Sequence, residues 1–308
     1  PRLERNLIMT KDKTLLKSIN KNIRKVEKKS KKVDEWLIPR DRTSFYLTHD
    51  YHSYFAAFPP EIVSRLLKKY SKKGDVFLDP FMGGGSSVVE GFTNKRKTIG
   101  SDISNFSKFL SKTKCTPIKI NEKNFELILK KMTQTISKKR AKNYQPFGYK
   151  IPYVTNIDNW FTPESKFDLA ILLHHIKKIE NKNLQDFFLL AFSAIVRKVS
   201  NAKNLDQHLC IKKEKKIPDT FETFEKKIRL MKSQMDDYVK NLGDLKQYTA
   251  PKLYAQDCRT VTKVVKEKSV DIVITSPPYG TGSRYTDVYR MNFEWLELDK
   301  PIRKSSLE

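Results

Sequence analysis

Asp271-Ile272-Val273-Ile274-Thr275-Ser276-Pro277-Pro278-Tyr279 runs a short apolar stretch into a proline-stiffened turn. An apolar run closed by turn residues is how a central parallel strand reads in sequence. Each proline lacks an N–H and holds φ near −65°, so chain leaving this strand continues neither the sheet nor a helix. The result is a stiff ledge with outward carbonyl oxygens and an aromatic residue at its end. Ligands of open α/β sheets sit at the carboxyl ends of strands, which is where this ledge lies. The alternative is an ordinary strand-ending turn.

Upstream, Asp75-Val76-Phe77-Leu78-Asp79 reads as a strand, followed by the loop Pro80-Phe81-Met82-Gly83-Gly84-Gly85 and a helix from Ser86 to Phe92. Glycines let backbone pass close to a ligand, and a helix start offers unpaired N–H groups. No Gly-Lys-Ser/Thr follows, which excludes a P-loop, and Val88 stands where a dinucleotide fingerprint needs its third glycine. A second strand, Lys97 to Asp102, ends in an acid able to accept both ribose hydroxyls of a nucleoside, or else to cap a helix over Ser104 to Leu110. A third, Lys252 to Asp257, also ends in an acid. The aromatic loop His52 to Glu61 precedes a helix begun by Pro60.

Between 110 and 250 the strand–helix alternation stops, and helical periodicity runs from Phe125, over Phe167–Glu180, Leu184–Val199 and Phe221–Leu242. The first part of this insertion is basic. Residues 1–40 carry 13 Lys/Arg against 5 Asp/Glu, with Leu15, Ile19, Ile23 and Val26 at helical spacing. The whole chain of 308 residues has a formal charge of +26, which suits a polyanionic partner. Cys115, Cys210 and Cys258 are far apart and form no metal-ligand pattern; His174 and His175 are adjacent and face different ways, so no metal is expected. No apolar run reaches 18 residues, and no signal peptide is read, so the expectation is a soluble cytoplasmic protein.

Together these residues resemble the amino-group DNA methyltransferases, which methylate N4 of cytosine or N6 of adenine from S-adenosylmethionine. The resemblance covers roughly 45–110 and 250–300. It maps the catalytic tetrapeptide to Ser276, Pro277, Pro278 and Tyr279, and the glycine motif to Phe81, Gly83, Gly84 and Gly85 with Asp79 upstream. The ribose acid maps to Asp102, the adenine-contacting acid to Asp257. Thr275 and the loop holding Tyr54, Phe58 and Pro59 are placed at the cofactor. The implied fold is α/β, a Rossmann-like methyltransferase sheet with a large helical insertion. Its parts are a basic N-terminal segment (1–44), a first half (45–112), the insertion (113–250) and a second half (251–308). The implied partner is double-stranded DNA, with Lys138, Lys139, Arg140, Arg197, Lys198 and Arg284 as candidate DNA contacts.

The chemistry is coherent with those residues. An exocyclic amine is a poor nucleophile because its lone pair is delocalised into the ring. The Ser276 hydroxyl and Pro277 carbonyl can hold its hydrogens out of plane, while Tyr279 stacks on a base flipped from the duplex. Serine at the first catalytic position favours cytosine N4, with adenine N6 the alternative and a restriction–modification system the expected setting. A family sheet has seven strands, and four are placed here. The expectation is therefore that C-terminal strands are missing, supplied by a further segment or a second polypeptide, and that 1–308 alone transfers methyl weakly or not at all. The rival readings are an RNA or protein amino-methyltransferase, a non-catalytic DNA-binding subunit of a modification complex, and a nicotinamide oxidoreductase. Val88 and the lack of a general acid beside the ledge count against the last.

Overall fold

The computed structural model describes residues 46–203, 209–212, 214–278 and 285–298. The basic helix expected over 1–40, Tyr279 and Arg284 lie outside the described residues.

Four strands form a parallel sheet: β1 (Val76–Asp79), β2 (Lys97–Asp102), β3 (Lys252–Ala255) and β4 (Ile272–Val273). Their spatial order is β3-β2-β1-β4. β1 is central, with Phe77 opposite Thr98 of β2 on one side and Ile272 of β4 on the other. The chain thus walks outward from β1 through β2 to β3, then returns to the far side of β1. That reversal opens a crevice at the carboxyl ends of β1 and β4, the position where open α/β sheets take ligands. β4 is shorter than the sequence suggests. Among the described residues nothing pairs with its outer edge, and Val273 is 55% exposed, so a segment with the composition of a central strand sits here as an edge.

Helices cover the sheet: α1 (Pro60–Tyr70), α2 (Ser86–Thr93) and α3 (Asn105–Cys115). α1 begins at a proline, whose missing N–H is an orphan at that position anyway. Ser104 caps α3 by accepting from the N–H groups of Phe106 and Ser107. The insertion contributes α4 (Glu122–Ala141), the single turn α5 (Ile157–Trp160), α6 (Pro163–Lys177), α7 (Lys182–Val196) and α8 (Thr220–Leu242). Asn121, Thr162, Asn181 and Asp219 each cap the helix that follows with a side-chain oxygen. Tyr285, Tyr289, Phe293, Trp295 and Leu296 read in sequence as one amphipathic helix, but the structure has two short ones, α9 (Tyr285–Val288) and α10 (Arg290–Leu296).

One buried apolar cluster runs from Met82, Val88 and Phe106 beside the sheet through Phe187, Phe192 and Phe224 of the insertion to Phe293 and Trp295 of α10. Burying each such aromatic contributes about 1.5–3 kcal/mol. α10 is pinned to α7 by Asn292, whose amide donates to the Ser193 carbonyl at 2.8 Å and to its hydroxyl at 2.9 Å. The helical insertion is therefore part of what holds the chain after the Ser-Pro-Pro ledge against the sheet.

Candidate active site

The carboxyl ends of the strands enclose a cavity of about 270 Å³. It brings together Tyr54, Phe58, Asp79, Phe81, Gly83, Gly84, Asp102, Asp257, Ser276 and Pro278, drawn from segments far apart in the chain. Pro59, Gly85, Thr275 and Pro277 lie off its wall.

The glycine turn is built by conformation and by contact. Gly83 and Gly85 have φ of 46° and 83°, the left-handed region that side chains disfavour. Gly84 is required by proximity instead: a Cβ there would lie 2.5 Å from Tyr54 Cβ. The Tyr54 ring lies against Gly83 and Gly84 and shares a hydrogen bond with Ser107 at 3.2 Å. Tyr289 stacks on Tyr54 with ring centres 4.9 Å apart and accepts a hydrogen bond from the Phe55 N–H.

Asp79 serves the site from behind. It is 2% exposed and accepts from the Phe81 N–H at 2.9 Å, the Thr275 hydroxyl at 2.7 Å and the Ser87 hydroxyl. One carboxylate thus joins the end of β1, the start of α2 and the chain entering the Ser276 ledge. Burial pushes its pKa above the ordinary carboxylate value, against the lowering effect of the three donors. Thr275, placed at the cofactor by the resemblance, is here a strut between Asp79 and the ledge.

Asp102 closes the other end of the turn, accepting from Gly83 N–H at 2.9 Å and Ser104 N–H at 3.0 Å. Asp102 lines the cavity, and the capping role offered for it falls instead to Ser104, whose N–H donates to the acid. Asp257 caps the 3-10 turn Cys258–Lys263 and pairs with Arg259, whose Nη2 lies 2.6 Å from Oδ2. The Arg259 side chain, then its N–H, hold the Asp257 carboxyl down at about 2. Ser276 and Pro278 face the same cavity from the opposite side.

Ile103, Phe106, Cys258, Tyr289 and Phe293 also line the cavity, and none of them was assigned to the site from the sequence. Ile103 is 60% exposed, beside the acid of β2. Tyr289 and Phe293, four residues apart, read as one face of an amphipathic helix. Nothing in that spacing says the face turns towards a cavity rather than a core.

The candidate DNA contacts divide. The Arg140 guanidinium is held by Asp168 and, at 2.7 Å, by Asp219. Arg197 donates to the Lys203 carbonyl at 2.7 Å. Lys139 bonds the Pro146 carbonyl and lies over the Tyr149 ring. Lys138 and Lys198 are exposed. Among the described residues no group of His, Cys, Asp and Glu is arranged to hold a metal, and no helix is long and apolar enough to cross a membrane.

Residues 3–114 match the family N6_N4_Mtase, described as "DNA methylase". The chain is 30% identical over 296 residues to the Type II methyltransferase M.MvaI of Kocuria varians, an alignment covering 89% of this chain and 63% of that protein. These matches support the N6/N4 amino-methyltransferase family for this chain. The chain is also 22% identical to the Type II methyltransferase M.MjaII of Methanocaldococcus jannaschii, over 86% of the chain and 64% of that protein. M.BsoBI of Geobacillus stearothermophilus, another Type II methyltransferase, is 20% identical over 83% of the chain. The chain therefore spans a little under two thirds of the length of the first relatives it matches. No solved structure matches it significantly. The family uses S-adenosylmethionine as methyl donor. The cavity suits such a group: aromatic and aliphatic walls for an adenine ring, and acids at two strand ends for hydroxyls and an amine.

Proposed function

We propose that this protein transfers a methyl group to the exocyclic amine of a base in double-stranded DNA, within a restriction–modification system. We assign the target to N4 of cytosine, with N6 of adenine the alternative. The observation that carries the reading is the single cavity shared by the glycine turn, Asp102, Asp257 and Ser276 at the reversal point of the sheet. Gly83 and Gly84 would face the donor's amino-acid end, Asp102 its ribose and Asp257 its adenine amine. The bound donor supplies an electrophilic methyl on sulfur. Ser276 and the Pro277 carbonyl hold the target amine so that its lone pair points at that carbon, and Tyr279 stacks on the flipped base. The donor would give up its methyl carbon and keep the electron pair of its S–C bond, while the ledge would pass the amine's surplus proton to water. Alignment at near-attack distance supplies on the order of 7 kcal/mol or more of barrier lowering.

Serine at 276 leans towards cytosine by resemblance to the family; its neutral hydroxyl can accept from the amine and donate to a ring nitrogen, a pair that adenine presents as well. Lys138 and Lys198 are the exposed cations proposed to meet phosphates; Arg140, already shared by two carboxylates, is a weaker choice. Among the described residues nothing pairs with the outer edge of β4, which supports a further strand docking there, from a C-terminal segment or a second polypeptide. We keep the parts 1–44, 45–112, 113–250 and 251–308 as a proposed division of labour. The deciding experiment incubates DNA with the protein and donor, digests it to nucleosides and weighs them. N4-methylcytosine absent from wild type and Ser276→Ala alike, with N6-methyladenine formed instead, overturns the base assignment. Neither product under any condition, with the β4 partner supplied, overturns the activity.

A further inference from the structure

Lys114, next to last in α3, is 2% exposed. Its Nζ donates to three backbone carbonyls: Gly84 at 2.9 Å, His49 at 3.3 Å and His52 at 3.4 Å. Among the described residues no carboxylate lies within ion-pair distance of it, so the usual reason for burying a cation is lacking. What the three carbonyls share is position. Gly84 belongs to the glycine turn, while His49 and His52 bracket the chain that leads into Tyr54. An ammonium has three N–H donors for three carbonyls; a neutral amine has two and turns its lone pair towards an oxygen.

We propose that Lys114 is a positioning residue of the donor cavity. Its ammonium clamps the 49–54 segment onto the glycine turn and so seats Tyr54 over Gly83 and Gly84. The clamp deepens the donor-site reading above and rests on it. The charged and titratable groups around it are Lys227, whose Nζ donates to the Asp50 carbonyl, Asp50 itself, Cys115 and the neutral His52. Burial, followed by Lys227, brings the Lys114 pKa down to about 8, with Asp50 and Cys115 acting against them.

The sign of that shift separates positioning from stability. The unfolded chain keeps this proton to 10.5, whereas the folded one releases it near 8. Between those values the unfolded state binds more protons, so this group makes folding more favourable as pH rises. The fold holds the charge at a cost. The clamp, in contrast, is present below about 8 and lost above it. Loosening of the cavity wall without loss of global stability is thus the signature of this residue.

The test is hydrogen exchange by mass spectrometry on the donor-free full chain at pH 7 and pH 9.5, corrected for intrinsic rates, with wild type and Lys114→Met. Exchange over 48–57 and 82–86 should rise about tenfold relative to α6 in wild type at pH 9.5, and in the variant already at pH 7. Calorimetry with S-adenosylmethionine should show wild-type affinity falling about tenfold between the two pH values, with the variant weak at both. Uniform exchange in wild type across pH overturns the clamp, whether or not the variant folds. So does a variant with wild-type affinity and pH profile. Wild type that takes up no donor at pH 7 removes the donor-site reading instead, and the exchange experiment still judges the clamp.

Discussion

Replacing Gly84 by alanine isolates the contact on which the cavity wall depends. The new Cβ would stand 2.5 Å from Tyr54 Cβ and 2.6 Å from its Cγ, and must retreat about 0.9 Å to reach ordinary contact at 3.4 Å. Gly84 does not use the left-handed region, so the cost is overpacking rather than backbone strain, on the order of 1–3 kcal/mol. The clash is with the root of a side chain pinned by Tyr289 stacking and by Ser107, so the tip cannot swing away to relieve it. A double-mutant cycle with Tyr54→Gly, which removes the Cβ as well as the ring, measures the effect without any ligand. In urea unfolding, Gly84→Ala should cost about 2 kcal/mol with Tyr54 present. In the Tyr54→Gly background it should cost nothing, or even stabilise by a few tenths, because alanine at 84 restricts the unfolded chain. The coupling is thus about 2 kcal/mol. Donor affinity of the single variant should fall roughly tenfold to a hundredfold, as the displaced wall misplaces the ligand by most of an ångström. Equal destabilisation in both backgrounds would refute the argument, since Tyr54 would not then be seated on the turn.

Two further outcomes follow from buried polar groups. Asp79→Ala should destabilise by about 3 kcal/mol or more, because the Phe81 N–H, Ser87 hydroxyl and Thr275 hydroxyl all lose their acceptor. Asp79→Asn, which keeps shape and one oxygen, should cost clearly less, and an equal loss in both variants of the urea midpoint would show that the acceptors are not what matters. His52 is buried between a donated bond to the Ser53 carbonyl and the Ser193 hydroxyl, and burial lowers its pKa from 6.5 to about 3. The unfolded chain therefore binds a proton that the fold refuses, and stability falls as pH drops from 6.5 towards 3, by about 1.4 kcal/mol per pH unit from this group. A His52→Gln variant should lose less stability between pH 7 and pH 5 than wild type; parallel urea midpoints would contradict the assignment.

The chemistry-bearing pattern could be read from the chain alone. Local rules act over a few residues, and a strand closed by Gly-Gly-Gly, by an acid or by Ser-Pro-Pro is recognisable without knowing its neighbours. The long helices were legible for the same reason, since apolar periodicity is a local signal. Which polar groups are taken up by the protein itself, and which are left for a ligand, emerged only once the chain was folded. Asp79 looks like a ligand-facing acid in sequence, yet three protein donors claim it. Arg140 looks like a phosphate contact, yet two carboxylates from α6 and the head of α8 surround it. Tyr289 and Phe293 look like packing, yet the cavity takes them, because α10 is tied to α7 through Asn292 and Ser193. Lys114 carries no sequence signal at all. A hydrogen bond or a buried charge is set by residues distant in the chain and close in space, and no periodicity encodes those partners.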